Sequence, residues 1–95
     1  MKEHKLKCWP SDYEAVQDGR KLFVLCFDDH DFAVGDVLVL EKWDPNTREY
    51  FWDGFGWGAK IMSLRVEITY VLEGERWGLQ RGFVAMGLRA IKEEK

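Results

Sequence analysis

Residues 64–72 read Leu64-Arg65-Val66-Glu67-Ile68-Thr69-Tyr70-Val71-Leu72. Val66, Ile68, Tyr70 and Leu72 share one parity, and Arg65, Glu67 and Thr69 the other. Alternation with period two is the signature of a half-buried strand, because successive side chains point to opposite faces of a sheet. Val84, Met86 and Leu88 repeat the pattern downstream. Upstream, Val34-Gly35-Asp36 reads as a turn feeding a strand from Val37 to Trp43, and Leu22 to Phe27 is an apolar run of strand length. Residues 4–8 read as a short opening strand.

Helical signals occur once. In Trp9-Pro10-Ser11-Asp12-Tyr13-Glu14, Ser11 with Glu14 has the spacing of a capping box, in which each side chain satisfies an orphan backbone donor. Gly19 sits where a glycine after the helix C-cap belongs, so a short helix is expected near residues 11–18. Asp44-Pro45-Asn46 is a turn, and Asp53-Gly54 between Tyr50-Phe51-Trp52 and Phe55-Gly56-Trp57 reads as a tight hairpin. About five or six strands and one short N-terminal helix result. A mainly β (α+β) fold follows, in which a small sheet curls on itself into a partly open barrel to hide its edges. Leu6, Phe23, Leu25, Val37, Val39, Val66, Ile68, Val84 and Met86 are its expected core, with Trp43 and Trp9 as further buried aromatics.

The 95 residues suit one domain spanning 1–95, and a hydrophobic fraction of 46% is enough for one core. The net charge of −3 is unevenly spread. Residues 28–53 carry eight acidic and two basic groups, whereas 1–21 and 54–95 are mildly basic. Such a balance argues against tight non-specific binding of long nucleic acid, which depends on phosphate neutralisation. The two cysteines, Cys8 and Cys26, have no metal-ligand spacing. His30 among Asp28, Asp29 and Asp31 matches no known cage, so neither a metal nor a cofactor is expected. Met1-Lys2-Glu3-His4-Lys5 has no apolar signal-peptide region, and no apolar run approaches the ~20 residues of a membrane helix. A reducing, cytoplasmic setting without membrane contact is the expectation.

Several stretches are similar to a known family. His4, Leu6, Lys7 and Pro10 resemble the opening of a small bacterial and phage branch of ASCH domains, within the PUA-like superfamily. Gly19-Arg20-Lys21 resembles the Gly-x-Lys that starts the ASCH motif. Asp31 to Leu38 resembles the next block, and Glu41 to Pro45, Ile68 to Leu72, Gly78-Leu79 and Gly82 to Met86 are similar to that branch. The resemblance runs in order from about residue 4 to residue 90. It implies a PUA-like barrel with a cleft between helix and sheet, and recognition of RNA or a modified nucleoside. Some ASCH relatives are amide hydrolases acting on acylated cytidine, or ribonucleases. The usual motif continues with Glu or Thr and then Arg. Here those positions are Val24 and Cys26, and only Gly19 and Lys21 survive.

These residues set the candidate sites. For hydrolysis Lys21 remains, with Glu73 or Glu75 as the available loop carboxylate, but Val24 supplies no hydroxyl. Cys26 reads as an inert buried thiol, since no basic side chain is placed by sequence to activate it. Phe23, Leu25 and Phe27 are apolar on one face of their strand and Val24 and Cys26 on the other, which implies burial on both or an apolar-lined pocket. Lys7, Trp9, Arg20, Lys21, Arg76 and Trp77 are candidate contacts for single-stranded RNA or a nucleoside. Trp52, Phe55 and Trp57, beside three glycines at a hairpin tip, are candidates for docking a protein partner. The leading expectation is an RNA- or nucleoside-binding module. The alternatives are an ASCH-type hydrolase using Lys21 and a phage-type protein-interaction factor.

Overall fold

The computed structural model describes residues 1–27, 31–74 and 77–91. In chain order it has β1 (Glu3–Cys8), α1 (Pro10–Gln17), β2 (Phe23–Phe27), β3 (Val37–Asp44), β4 (Glu49–Tyr50), β5 (Trp52–Asp53), a 3-10 turn (Gly56–Gly58), β6 (Lys60–Ile61), β7 (Ser63–Glu73) and β8 (Phe83–Ala90). The fold is mainly β with one short helix, as the periodicity predicts. Five strands form a sheet in the order β1-β3-β7-β8-β2, and β4 pairs with β3 beside them. β1 runs parallel to β3, and the other pairs are antiparallel. The sheet is not closed, so β1 and β2 are its two edges.

One face of the sheet carries the core. Leu38 and Leu40 of β3, Val66 and Ile68 of β7, Val84, Met86 and Leu88 of β8, Val24 of β2 and Cys8 of β1 are buried there with Phe32. Helix α1 contributes Tyr13 and Val16 to the same cluster. On the opposite face Val37 and Val39 are also buried. Their rows run Glu3, Val37, Glu67 and Lys5, Val39, Arg65 across β1, β3 and β7. Ion pairs between Glu3 and Arg65 (2.6 Å) and between Glu67 and Arg89 (2.9 Å) lay long aliphatic stems over this half of the outer face.

Five local expectations are corrected. Phe23 and Leu25 are not core: they lie on the outer face, 51% and 57% exposed, while Val24 is buried. β2 is an edge strand, and in the single chain only its inner face is covered. Second, the β7–β8 register shifts between Ile68 and Tyr70. Val71 therefore packs on the core and Tyr70 and Leu72 turn outward, against the simple alternation. The shift lies opposite Gly87, where an added Cβ would come within 2.8 Å of the Thr69 hydroxyl. Third, the helix N-cap is Trp9 and no side chain caps it. Pro10 occupies the first helical turn, where its fixed φ and missing N–H cost nothing, so Ser11 lies inside the helix and no capping box forms. Fourth, Asp53-Gly54 is not a two-residue hairpin. Trp52 pairs with Ile61 and Asp53 with Lys60, and the aromatic run after Gly54 forms the 3-10 turn. Trp9, at 56% exposure, is not a core aromatic either.

The Gly35-Asp36 turn holds β1, β3 and β7 together. Gly35 has a φ of 94°, so the turn uses the left-handed region that side chains disfavour. The buried Asp36 carboxylate accepts the Lys2 and Ala33 N–H groups, each at 3.2 Å, and the His4 Nε2 proton at 2.8 Å. The His4 ring rests on Phe32 at 4.8 Å. From the other side the Gly35 N–H donates to the Ile68 carbonyl, and the Ile68 N–H to that of Asp36. The His4 hydrogen bond, more than any other contact, holds the Asp36 pKa below its ordinary 3.8.

Two outcomes follow. Gly35→Val forces a β-branched side chain into positive φ and is expected to cost about 1–3 kcal/mol, read as a lowered urea midpoint at unchanged slope. An unchanged midpoint contradicts the turn's role. Because Asp36 is more acidic in the folded chain than in the unfolded one, it stabilises the fold above pH 3.8 and loses that contribution as pH falls through its lowered value. Wild type should therefore exceed Asp36→Asn in urea midpoint at pH 6, and the gap should close in acid. A gap that is constant with pH contradicts this.

Candidate functional site

The two edges of the open sheet face the same space. Leu6, Lys7, Cys8 and Trp9 at the end of β1, and Val24, Leu25 and Cys26 of β2, line a single cleft of about 370 Å³. Leu40 of β3 forms its floor, and Asp12 and Lys21 complete the lining. Strands at opposite ends of the sheet order meet here only because the sheet curls. The walls at Leu6, Val24, Cys26 and Leu40 are apolar. The strand edges add polar main chain. The Leu88 N–H donates to the Leu22 carbonyl at 2.9 Å, which sets even-numbered β2 residues to bond with β8 and turns the Leu25 peptide groups away from the sheet. The Val37 N–H donates to the Lys2 carbonyl at 2.9 Å, which sets the same phase on β1 and turns the Lys7 peptide groups away from β3.

The rim is built by the first turn of α1. Asp12 lies there, at the end of the helix that favours a negative charge. Its carboxylate accepts a hydrogen bond from Lys21 Nζ at 2.9 Å. The Lys21 ammonium also sits 5.3 Å over the Phe23 ring, and the Lys21 N–H is anchored to the Ala15 carbonyl. Lys21 is therefore a held, paired cation at the cleft and not a solvated side chain. Burial, with the Asp12 charge adding to it, pushes the Cys8 thiol up to about 11 against a smaller opposing effect of Lys21. Cys8 presents a neutral S–H to the cleft at physiological pH.

Of the residues singled out by sequence, Lys7, Trp9 and Lys21 come together here. Trp9 stands at the cleft mouth, and the Lys7 ammonium lies 4.6 Å over the Trp43 ring. Arg20 is outside the lining; its guanidinium bonds both carboxylate oxygens of Asp18 at 2.8–2.9 Å. Glu73 and Trp77 are exposed and do not line the cleft. Arg76 and Glu75 fall outside the described residues, as do Asp28, Asp29 and His30. Among the described residues no cluster of His, Cys, Asp or Glu has the makings of a metal centre. No helix among them is long and apolar enough to cross a membrane. The aromatic ribbon is open to solvent: Phe55 is 97% and Trp57 106% exposed, with Trp52 also exposed.

Asp12 and Cys8 were missed as site residues. Asp12 had a signal, since an acidic residue in a first helical turn lies near whatever the helix start faces. Cys8 shares the parity of His4 and Leu6, which places it on the inner face of β1.

Residues 3–88 match the family described as Domain of unknown function (DUF3850). The chain belongs to that family. The match begins at the first residue of β1 and ends inside β8, so the DUF3850 domain contains every residue of the cleft. No curated protein matches the chain.

The neutral Cys8 thiol has a measurable consequence. In a Cys26→Ser background, alkylation by iodoacetamide at pH 8 should run about 100-fold or more below a free cysteine of ordinary pKa ~8.5, and should keep rising with pH towards 11. A rate that plateaus near pH 8.5 contradicts this environment.

Proposed function

We propose that this domain binds a planar, uncharged ring of nucleoside size, free or within single-stranded RNA, in the cleft between β1 and β2. The observation that carries the reading is the cleft's composition: an apolar floor and walls flanked by two main-chain edges. A flat heterocycle needs apolar surface for its faces and donors and acceptors for its rim. Trp9 at the mouth offers a stacking surface. The held ammonium of Lys21 offers one positive contact for a phosphate, a ribose or a base edge. The similarity of Gly19 and Lys21 to the start of the ASCH motif favours the same ligand class. So does the charge distribution, since an acidic middle third disfavours long RNA more than a single nucleoside.

Binding is favoured over turnover. Hydrolysis of an amide or phosphodiester needs a base, a charge stabiliser and a positioned reacting group. Lys21 is committed to Asp12, position 24 is valine, and Glu73 does not reach the lining. In the hydrolase alternative, pure protein would release product from acylated cytidine or cleave RNA in proportion to protein concentration, and Lys21→Ala would abolish it.

A second reading has its own observation. The near-complete exposure of Phe55 and Trp57 suits a ribbon that docks a protein, in the manner of a phage factor directed at a host target. A partner recruited this way would be lost on Trp52→Ala/Trp57→Ala with the cleft intact.

Titration of tryptophan fluorescence with nucleosides and short single-stranded RNA tests the main proposal. Saturable quenching is expected in wild type. Trp9→Ala and Lys21→Ala should each weaken it about tenfold, the loss of one stacking or charge-assisted contact. Absence of binding at low salt to any nucleoside or RNA contradicts the proposal.

A further inference from the structure

The rim of the cleft carries a carboxylate and an ammonium side by side. Asp12 stands in the first turn of α1, and Lys21 Nζ donates to its Oδ1 at 2.9 Å. Both residues line the cleft. They lie at its top: the Asp12 side chain is 49% exposed and that of Lys21 21%, whereas Leu40 at the floor is 2% and Val24 on the wall 8% exposed. The cleft is thus sorted by depth, apolar below and ionic above. An ionised carboxylate has a second acceptor oxygen, and an ammonium has further protons. The bond between them therefore leaves Asp12 Oδ2 to accept from a ligand and Lys21 Nζ to donate to one. The volume of about 370 Å³ lies near the lower end of the ~300–1,000 Å³ usual for ligand pockets, which suits one nucleoside unit and no longer stretch.

We infer that Asp12 and Lys21 read a ribose whose 2′ and 3′ hydroxyls are both free, as in a nucleoside or the 3′-terminal residue of an RNA. Resting on the nucleoside reading of the cleft, this assigns the part of the ligand that the rim selects. A base laid on Leu40 and Val24, with its edge against the peptide groups of Lys7 and Leu25, leaves its sugar at the rim, because the sugar hydroxyls find no partners on apolar walls. Each hydroxyl both donates and accepts. Neighbouring hydroxyls therefore match a carboxylate beside an ammonium: one gives its proton to Asp12 Oδ2 while the other accepts from Lys21 Nζ. A phosphate fits the same rim poorly. The Asp12 charge offsets that of Lys21 and opposes an anion, and the other cation in the lining, Lys7, lies over the Trp43 ring. A phosphate on the 3′ oxygen also removes the proton that the carboxylate would take, which excludes the internal residues of an RNA. A missing 2′ hydroxyl does the same for DNA.

Calorimetric titration of the chain with the common ribonucleosides, their 2′-deoxy and 3′-deoxy analogues and their 5′-monophosphates tests this. The best-binding ribonucleoside should lose about tenfold or more in affinity when either hydroxyl is removed, since a charge-assisted bond goes and its charged partner is left unmatched. Its 5′-monophosphate should bind no tighter, and the affinity should change little with salt. Short RNA distinguishes the two sources of the ribose. Binding that a 3′-phosphate abolishes supports a terminal residue as ligand, and no RNA binding supports a free nucleoside alone. In Asp12→Ala the preference for ribose over deoxyribose should shrink severalfold while deoxyribonucleoside affinity holds, a change that loss of stability alone does not produce. The wild-type ligand series decides the matter should that variant not fold. Nucleosides that bind without a preference for ribose, a preference that survives Asp12→Ala, or a 5′-monophosphate that binds tighter at low salt would each overturn the assignment of the rim and leave the cleft reading standing. Failure of every nucleoside and RNA to bind would overturn both.

Discussion

The buried carboxylate of Asp36 fixes how β1 lies on β3, and the rest of the molecule depends on that placement. It takes the backbone of Lys2, the backbone of Ala33 and the ring of His4 at once. A one-residue slip of β1 would exchange its two faces, sending Leu6 and Cys8 outward and Lys5 and Lys7 into the core. The cleft would lose its apolar wall and the salt-bridged half of the outer face its shield. The parallel pair formed by β1 has no tight hairpin to fix its register, so a side-chain lock at its start is the device that remains.

With β1 fixed, the open sheet sets up the site. Closure would have paired β1 with β2 and satisfied their edges. Instead the strands stand apart, α1 brings only Asp12 to the space between them, and that space is the cleft. The polar edges at Lys7 and Leu25 are thus a by-product of incomplete closure that suits a ligand with a hydrogen-bonding rim. Asp12 and Lys21 close the rim as a pair, which holds the lysine in place without activating it.

Much of this is legible in the sequence, and the failures have physical causes. The strands at 37–44, 63–73 and 83–90 follow from alternation and from the Gly35-Asp36 turn. Lys21, Trp9, Val24 and Cys26 line one cleft; of the two readings that an apolar Val24/Cys26 face allows, burial on both sides or an apolar-lined pocket, local sequence does not choose. The outward placement of Phe23 and Leu25 was not legible, because a strand apolar on both faces reads as buried on both, and position in the sheet order decides the matter. The turn of Tyr70 and Leu72 away from the core depends on a register shift opposite Gly87, a long-range pairing that local alternation does not encode. The missing capping box reflects Pro10 starting the helix one residue early, and the wide ribbon reflects a 3-10 turn where alternating aromatics and glycines suggested a strand.

The central claim is that the space between the two sheet edges is a ligand site. Amide chemical-shift mapping on uniformly labelled protein titrated with single nucleosides tests it most directly. The account predicts saturable shifts concentrated at residues 6–9 and 21–26 and at Leu40, with the aromatic ribbon at 52–61 unmoved. Shifts confined to that ribbon, or to Phe27, Tyr70 and Phe83 on the outer face, would contradict it.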